Sequence, residues 1–173
     1  MKKSVVLTGM PAAGKSTVGV ILAKRLGLGF TDSDVYIQTR EGRRLSEIIE
    51  AEGLERFKSI EEEHLCTMAV DKSVIATGGS VIYGQRAMAH LAEEGVIVYL
   101  NTPLKLLLER LSDLTARGVV IAPGMGVEGL YAERHPLYMD RANLVIPTEG
   151  LTPSGVADTI QAELIKAYGE IWR

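Results

Sequence analysis

The chain has 173 residues, with 19 Lys plus Arg against 22 Asp plus Glu, and a single cysteine. That length suits one compact domain (1–173) whose core is large enough to fold without a disulfide or a metal. Hydrophobic residues at 46% and charged residues at 24% exclude a disordered chain, and a net charge of −3 argues against nucleic-acid or membrane-surface binding.

Ser4-Val5-Val6-Leu7 reads as a buried strand, and from Ser16 the residues Val18, Ile21, Leu22 and Leu26 recur at helical spacing. Gly27-Leu28-Gly29 ends that helix, and Phe30-Thr31-Asp32 forms a second short strand. Leu45, Ile48 and Ile49, then Phe57, Ile60 and His64, mark two helical stretches parted near Gly53. Val74-Ile75-Ala76 and Val96-Ile97-Val98-Tyr99-Leu100 read as strands. Leu104, Leu107, Leu108 and Leu111 make a helical stripe, with Thr102 as its expected cap and Pro103 in its first turn. Leu144-Val145-Ile146 is a last strand, and a helix from Pro153 to about Tyr168 closes the chain. Strands alternating with helices, and uniformly apolar along their length, predict an α/β fold with a parallel sheet covered on both faces.

The segment 115–129 breaks this rhythm with Gly118, Pro123, Gly124, Gly126 and Gly129, and is expected to be a mobile lid, bounded at about 112–129. It holds part of a glycine surplus: 18 glycines, where average usage of about 7% implies roughly 12. The apolar run after Lys2-Lys3 breaks at Thr8-Gly9 and Pro11, too early for a secretory leader. No stretch approaches the roughly 18 apolar residues that span a bilayer. Cys66 is alone and suits a reducing compartment, so a cytoplasmic protein is expected.

Gly9-Met10-Pro11-Ala12-Ala13-Gly14-Lys15-Ser16 fits the phosphate-binding pattern G-x-x-x-x-G-K-[ST], with a strand before it and an amphipathic helix after it. Gly9 and Gly14 permit backbone angles that turn successive N–H groups inward as a nest for phosphate oxygens. The new helix presents its positive end to the same oxygens. Lys15 can bridge the β- and γ-phosphates of ATP, and the Ser16 hydroxyl can ligate Mg²⁺, with Ala12, Ala13 and Thr17 completing the nucleotide site. No Asn-Lys-x-Asp guanine signature is present, which favours a small kinase over a GTPase. Asp32 and Asp34 flank Ser33 beyond the second strand, where residues two apart project to one side. One carboxylate can hold the metal while the other accepts a hydroxyl proton; an Asx turn or helix cap is the plainer reading.

With these residues in place, the sequence resembles the shikimate kinase family over nearly its whole length. The likeness runs through the P-loop, Phe30-Thr31-Asp32-Ser33-Asp34, Phe57-Lys58-Ser59-Ile60-Glu61 and Thr77-Gly78-Gly79-Ser80. It continues through Glu109-Arg110, Arg117 and Arg134-His135-Pro136-Leu137-Tyr138. The resemblance implies a three-layer, five-stranded parallel sheet of the P-loop kinase type, a lid, and transfer of the ATP γ-phosphoryl group to a hydroxyl of shikimate. It implies that Asp32 helps hold Mg²⁺, that Asp34 binds acceptor hydroxyls and takes the proton, and that Arg134 and Lys58 grip a substrate carboxylate. In the same scheme Glu61 orients residue 58, while the backbone of Gly78, Gly79 and Ser80 approaches the ring. Arg110 and Pro153 flank the base, and Arg117 meets the phosphates from the lid. Plainer readings stand beside these: a solvated helix face for Arg110 and Arg134, surface ion pairs for Lys58 with Glu61 and Glu62, and a simple turn at Gly78-Gly79.

Three positions depart from the family pattern: Lys58 stands where Arg is usual, Ser80 replaces a third glycine, and Gly118 replaces a lid proline. Lys offers a point charge in place of a planar fork, so its grip on a carboxylate is looser. These departures keep two alternatives open. One is a kinase of another small hydroxy acid, of the homoserine or sugar-acid type; the other is a nucleotide-binding regulatory module. In every case the expected partner is a small molecule, not nucleic acid or membrane, and the expected state is a monomer.

Overall fold

The computed structural model describes residues 2–111 and 124–172. The order of elements is β1 (Ser4–Thr8), α1 (Lys15–Leu26), β2 (Gly29–Asp32), α2 (Ser33–Glu41), α3 (Leu45–Cys66) and β3 (Ser73–Ala76). A single 3₁₀ turn at Val81–Tyr83 leads to α4 (Gln85–Glu94), β4 (Gly95–Asn101) and α5 (Leu104–Arg110). Beyond residue 124 come α6 (Val127–Arg141), β5 (Leu144–Pro147), α7 (Pro153–Tyr168) and a short 3₁₀ turn at Glu170–Trp172.

The five strands form one parallel sheet in the order β2-β3-β1-β4-β5. Because successive strand side chains point to opposite faces, β1 feeds two cores at once. Val5 and Leu7 join Val18 and Leu22 of α1 and Val156, Ile160 and Leu164 of α7 on one face. Val6 packs with Leu91, Tyr99, Leu107, Leu130 and Tyr138 on the other. This two-sided burial is why the strands carry no polar alternation. A third, smaller cluster of Ile37, Ile48, Phe57 and Ile60 ties α2 to α3 as a separate lobe beside the sheet edge.

The two helical stretches expected around Gly53 are the two arms of α3, which kinks where Gly53 adopts φ 83° and ψ 167°. Thr102 does not cap α5, as the sequence suggested. Pro103 is the N-cap and no side chain bonds there. The register that pairs Asn101 with Pro147 brings the next residues together, and the Thr102 and Thr148 hydroxyls share a hydrogen bond of 2.8 Å instead. The lid residues 112–123, with Arg117 and Gly118, lie outside the described residues. At the far end of the expected lid, Gly126 is the N-cap of α6 and Gly129 already lies within that helix. No described helix is long and apolar enough to cross a membrane.

Candidate active site

The chain reverses its winding at β1: the sheet grows toward β2 and β3 on one side and toward β4 and β5 on the other. Ligands of open parallel sheets bind at such a switch point, beyond the carboxyl ends of the strands. Here that crevice is a cleft of about 310 Å³, lined by the loop after β1, the end of β2 and the loop after β3.

The loop after β1 is shaped for an anion. Gly9 and Gly14 take φ of 146° and 92°, and Ala12 adopts 62°, a left-handed angle rare for a side chain with a Cβ. Lys15 folds back over the loop, its Nζ donating to the carbonyls of Gly9 at 2.8 Å and Met10 at 2.9 Å. Burial disfavours its ammonium and lowers its pKa to about 8, against the opposing pull of Asp34. Arg110, at the end of α5, donates to the Ala12 carbonyl at 3.1 Å and so reaches across the nucleotide side of the loop.

Asp32 takes the helix-cap role and also meets the Ser16 hydroxyl. Its Oδ1 caps α2 by accepting from the N–H groups of Asp34 at 3.0 Å and Val35 at 3.4 Å. Its Oδ2 accepts from the Ser16 hydroxyl at 2.6 Å. The two expected metal ligands therefore stand side by side, both hard oxygen donors at the edge of the phosphate loop. That set fits Mg²⁺, which takes one or two protein oxygens and completes its shell with phosphate and water. Accordingly, no cluster of three or more His, Cys, Asp or Glu suited to holding a metal occurs among the described residues.

Asp34 lies deeper. Burial first, then the neighbouring Asp32, raise its pKa, while Lys15 opposes the shift. Across from it, Arg134 of α6 is only 3% exposed and donates through Nε to the Tyr83 hydroxyl at 3.1 Å. The loop after β3 threads between these groups so closely that any side chain on its glycines would push them aside. A Cβ on Gly78 would lie 2.6 Å from Asp34 Oδ1 and 2.8 Å from Glu61 Oε1; one on Gly79 would lie 2.7 Å from Arg134 Nη1.

Of the residues singled out in the sequence, Ala12, Gly14, Lys15, Ser16, Thr17, Asp32, Asp34, Gly78, Gly79, Ser80 and Arg134 all line this one cleft. Gly9 and Ala13 lie behind it in the loop, and Pro153 opens α7 without lining it. Lys58 does not line it either. Its ammonium is held by Glu55 at 2.8 Å, 5.2 Å from the centre of the Tyr83 ring, in a neighbouring cavity. Nor does Glu61 orient Lys58, because its Oε2 accepts from the Ser80 hydroxyl at 2.7 Å. A Lys at i,i−3 from one glutamate and i,i+3 from another has a choice, and the more exposed Glu55 spares it desolvation.

Several supporting residues were given no role in the sequence reading. The Ser33 hydroxyl accepts from the Gly78 N–H at 2.8 Å. The Thr77 hydroxyl donates to the Leu7 carbonyl at 2.9 Å, and the buried Tyr138 hydroxyl donates to the Gly79 carbonyl at 2.8 Å. Three elements thereby fix the loop that spaces Asp34 from Arg134. Ser33, Thr77 and Tyr138 all stood inside matching stretches, and that membership was the available hint.

Fold and cleft together define a P-loop phosphotransferase, with a phosphate nest, two hard oxygen donors at its edge and, across the cleft, the half-buried carboxyl of Asp34 and the buried guanidinium of Arg134. The family model for shikimate kinase matches residues 11–165. A shikimate kinase of Thermodesulfovibrio yellowstonii is 40% identical over 164 residues, covering 93% of this chain and 94% of that one. Shikimate kinase 2 of an Enterobacter species is 34% identical over 171 residues, covering 95% and 97%. Among solved structures, shikimate kinase from Acinetobacter baumannii in complex with shikimate superposes with a TM-score of 0.87 at 30% identity, covering 98% of this chain and 97% of that one. The chain belongs to the shikimate kinase family.

Proposed function

We propose that the protein transfers the γ-phosphoryl group of Mg-ATP to a hydroxyl of shikimate, giving shikimate 3-phosphate and ADP. The observation that carries this reading is that Asp34 and Arg134 share one cleft with the P-loop Lys15. Arg134 supplies the cation for the acceptor's carboxylate, and Asp34 supplies the base for its hydroxyl. The acceptor oxygen attacks the γ-phosphorus, the bond from that phosphorus to the bridging oxygen breaks, and ADP leaves with the electron pair. The hydroxyl proton passes to Asp34, whose raised pKa makes it a stronger base than an ordinary carboxylate. Lys15 exchanges the Gly9 and Met10 carbonyls for phosphate oxygens, whose negative charge favours its ammonium form.

Ser16 and Asp32 are the residues that would hold Mg²⁺, which offsets the charge of the β- and γ-phosphates when bound. Arg110 is assigned to the adenine side, with Pro153 as the second contact there and Arg117 to the phosphates. The same reading takes the protein as one domain and a cytoplasmic monomer, in keeping with its −3 charge and lone cysteine. The family relatives favour shikimate over homoserine or a sugar acid as acceptor. ADP release coupled to an indicator, with shikimate and Mg-ATP, is the test. A rate well above the acceptor-free background is expected, and a rate equal to it would refute the assignment.

A further inference from the structure

Another cavity, of about 250 Å³, opens at the opposite end of the sheet from the cleft. Its residues precede the strands: Lys3 leads into β1, Leu28 into β2 and Lys72 into β3, whereas the cleft lies past the strands' carboxyl ends. Leu26 from the last turn of α1 completes the wall with Ile171 and Trp172 of the closing 3₁₀ turn.

The chemistry of this lining is one-sided. Leu26, Leu28, Ile171 and the Trp172 ring form an apolar floor, and every polar side-chain group is a donor: two ammoniums and one indole N–H. No acidic side chain lines the space among the described residues. Nor does Lys3 or Lys72 have an ion-pair partner among them, and the Nε1 of the buried Trp172 has no acceptor. A buried N–H without an acceptor carries its desolvation cost unanswered. The backbone holds the donors in place. Lys72 keeps a left-handed φ of 43°, costly for a residue with a Cβ, while its carbonyl accepts from the Gly29 N–H at 2.9 Å. Gln161 of α7 donates to the Trp172 carbonyl at 3.2 Å.

We infer that this cavity is a binding site for a small organic anion with a flat apolar body, an aromatic monocarboxylate. Its ring lies on the floor of Trp172, Leu26 and Leu28, and its carboxylate meets Lys3 and Lys72. The size agrees, since a dry cavity of about 150 Å³ accepts benzene and this one leaves room for a carboxylate as well. An inorganic anion would answer the lysines and leave the floor wet; a neutral ring would cover the floor and leave the donors unanswered. The site is separate from the phosphoryl-transfer cleft and does not rest on the acceptor reading.

Trp172 is the sole tryptophan of the sequence, so its indole signal in a nitrogen–proton correlation spectrum reports on this place. Titration of the full chain with phenylacetate moves that signal saturably, with a Kd on the order of millimolar for a ligand of about ten non-hydrogen atoms. Phenylacetamide, the neutral counterpart, binds about tenfold more weakly, and acetate, the carboxylate without the ring, does not saturate in that range. Lys3→Gln and Lys72→Gln each weaken phenylacetate about threefold, as exposed ion pairs allow, and the double substitution brings it level with phenylacetamide. Added salt weakens phenylacetate and leaves phenylacetamide unchanged. An indole signal that does not move saturably with phenylacetate, equal affinity for phenylacetamide or for acetate, or a double variant that binds phenylacetate as the natural protein does overturns the proposal.

Discussion

Gly78→Ala separates the demands of folding from those of chemistry. Gly78 has no left-handed φ, so alanine meets no backbone penalty; its new Cβ meets only Asp34 Oδ1 at 2.6 Å and Glu61 Oε1 at 2.8 Å. Ordinary van der Waals contact begins near 3.4 Å, so each carboxyl must retreat by about half an ångström or more. Both are far ends of side chains that can rotate, so overpacking here costs about 1–3 kcal/mol. For a chain of this length that corresponds to a fall in Tm of roughly 2–10 °C. Asp34, however, would no longer sit where a hydroxyl proton is delivered, and a displacement approaching 1 Å costs about 100-fold in rate. The assay is paired: thermal unfolding by circular dichroism, and kcat by coupled ADP release. A Gly78→Ala protein that unfolds near the natural temperature yet turns over about 100-fold more slowly bears out the reasoning. A kcat within threefold of natural would refute it, showing that the glycine is only a turn.

The raised pKa of Glu61 also makes a stability prediction with a definite sign. Burial lifts its folded value to about 7, above its ordinary value of 4.5, so the folded state binds more protons than the unfolded chain between those limits. Stability therefore falls as pH rises from about 4.5 to 7, by on the order of 3 kcal/mol from this group, and urea midpoints of Glu61→Gln should lack that slope. An identical slope in both proteins would place the proton elsewhere. Tyr138→Phe leaves the Gly79 carbonyl without its donor and should cost about 1–3 kcal/mol in the same urea experiment, with a raised KM for shikimate. No loss of stability would mean that water replaces the hydroxyl at that carbonyl.

The phosphate half of the site was readable because it is contiguous in the chain. Gly9 to Ser16 is a local structure whose residues make one another's geometry, so the pattern carries its own three-dimensional meaning. The apolar runs likewise announced buried parallel strands, since each is covered on both faces and cannot alternate. The side of the cleft proposed for the acceptor was legible in which residues meet there and not in how they pair. Asp34, Gly78, Ser80 and Arg134 do meet, but they come from α2, the loop after β3 and α6, far apart in sequence.

Helices α2, α4 and α6 escaped individual notice because polar residues and alanine or glycine interrupt their apolar positions, unlike the run of leucines in α5. Lys58 shows the same limit at the scale of one side chain. Its spacing permits a pair with either Glu55 or Glu61, and the difference in their desolvation, a tertiary quantity, selects Glu55. Thr102 is a third case: a helix cap by local rule, it turns instead to Thr148, which only the β4–β5 register brings within reach.

What the amino-acid sequence determined by itself was the class of chemistry: a phosphate nest on a strand-to-helix turn, two acids just beyond the next strand, and an α/β sheet to carry them. Those features arise from backbone angles and side-chain periodicity within a few residues, and such local forces act the same way wherever the segment ends up. Only the tertiary structure decided which charges face one another. It placed Glu61 on Ser80, left Lys58 outside the cleft, and set Asp34 and Arg134 against the two glycines between them. Electrostatic partners are chosen by distance and burial after packing, and neither quantity is written in the spacing of residues along the chain.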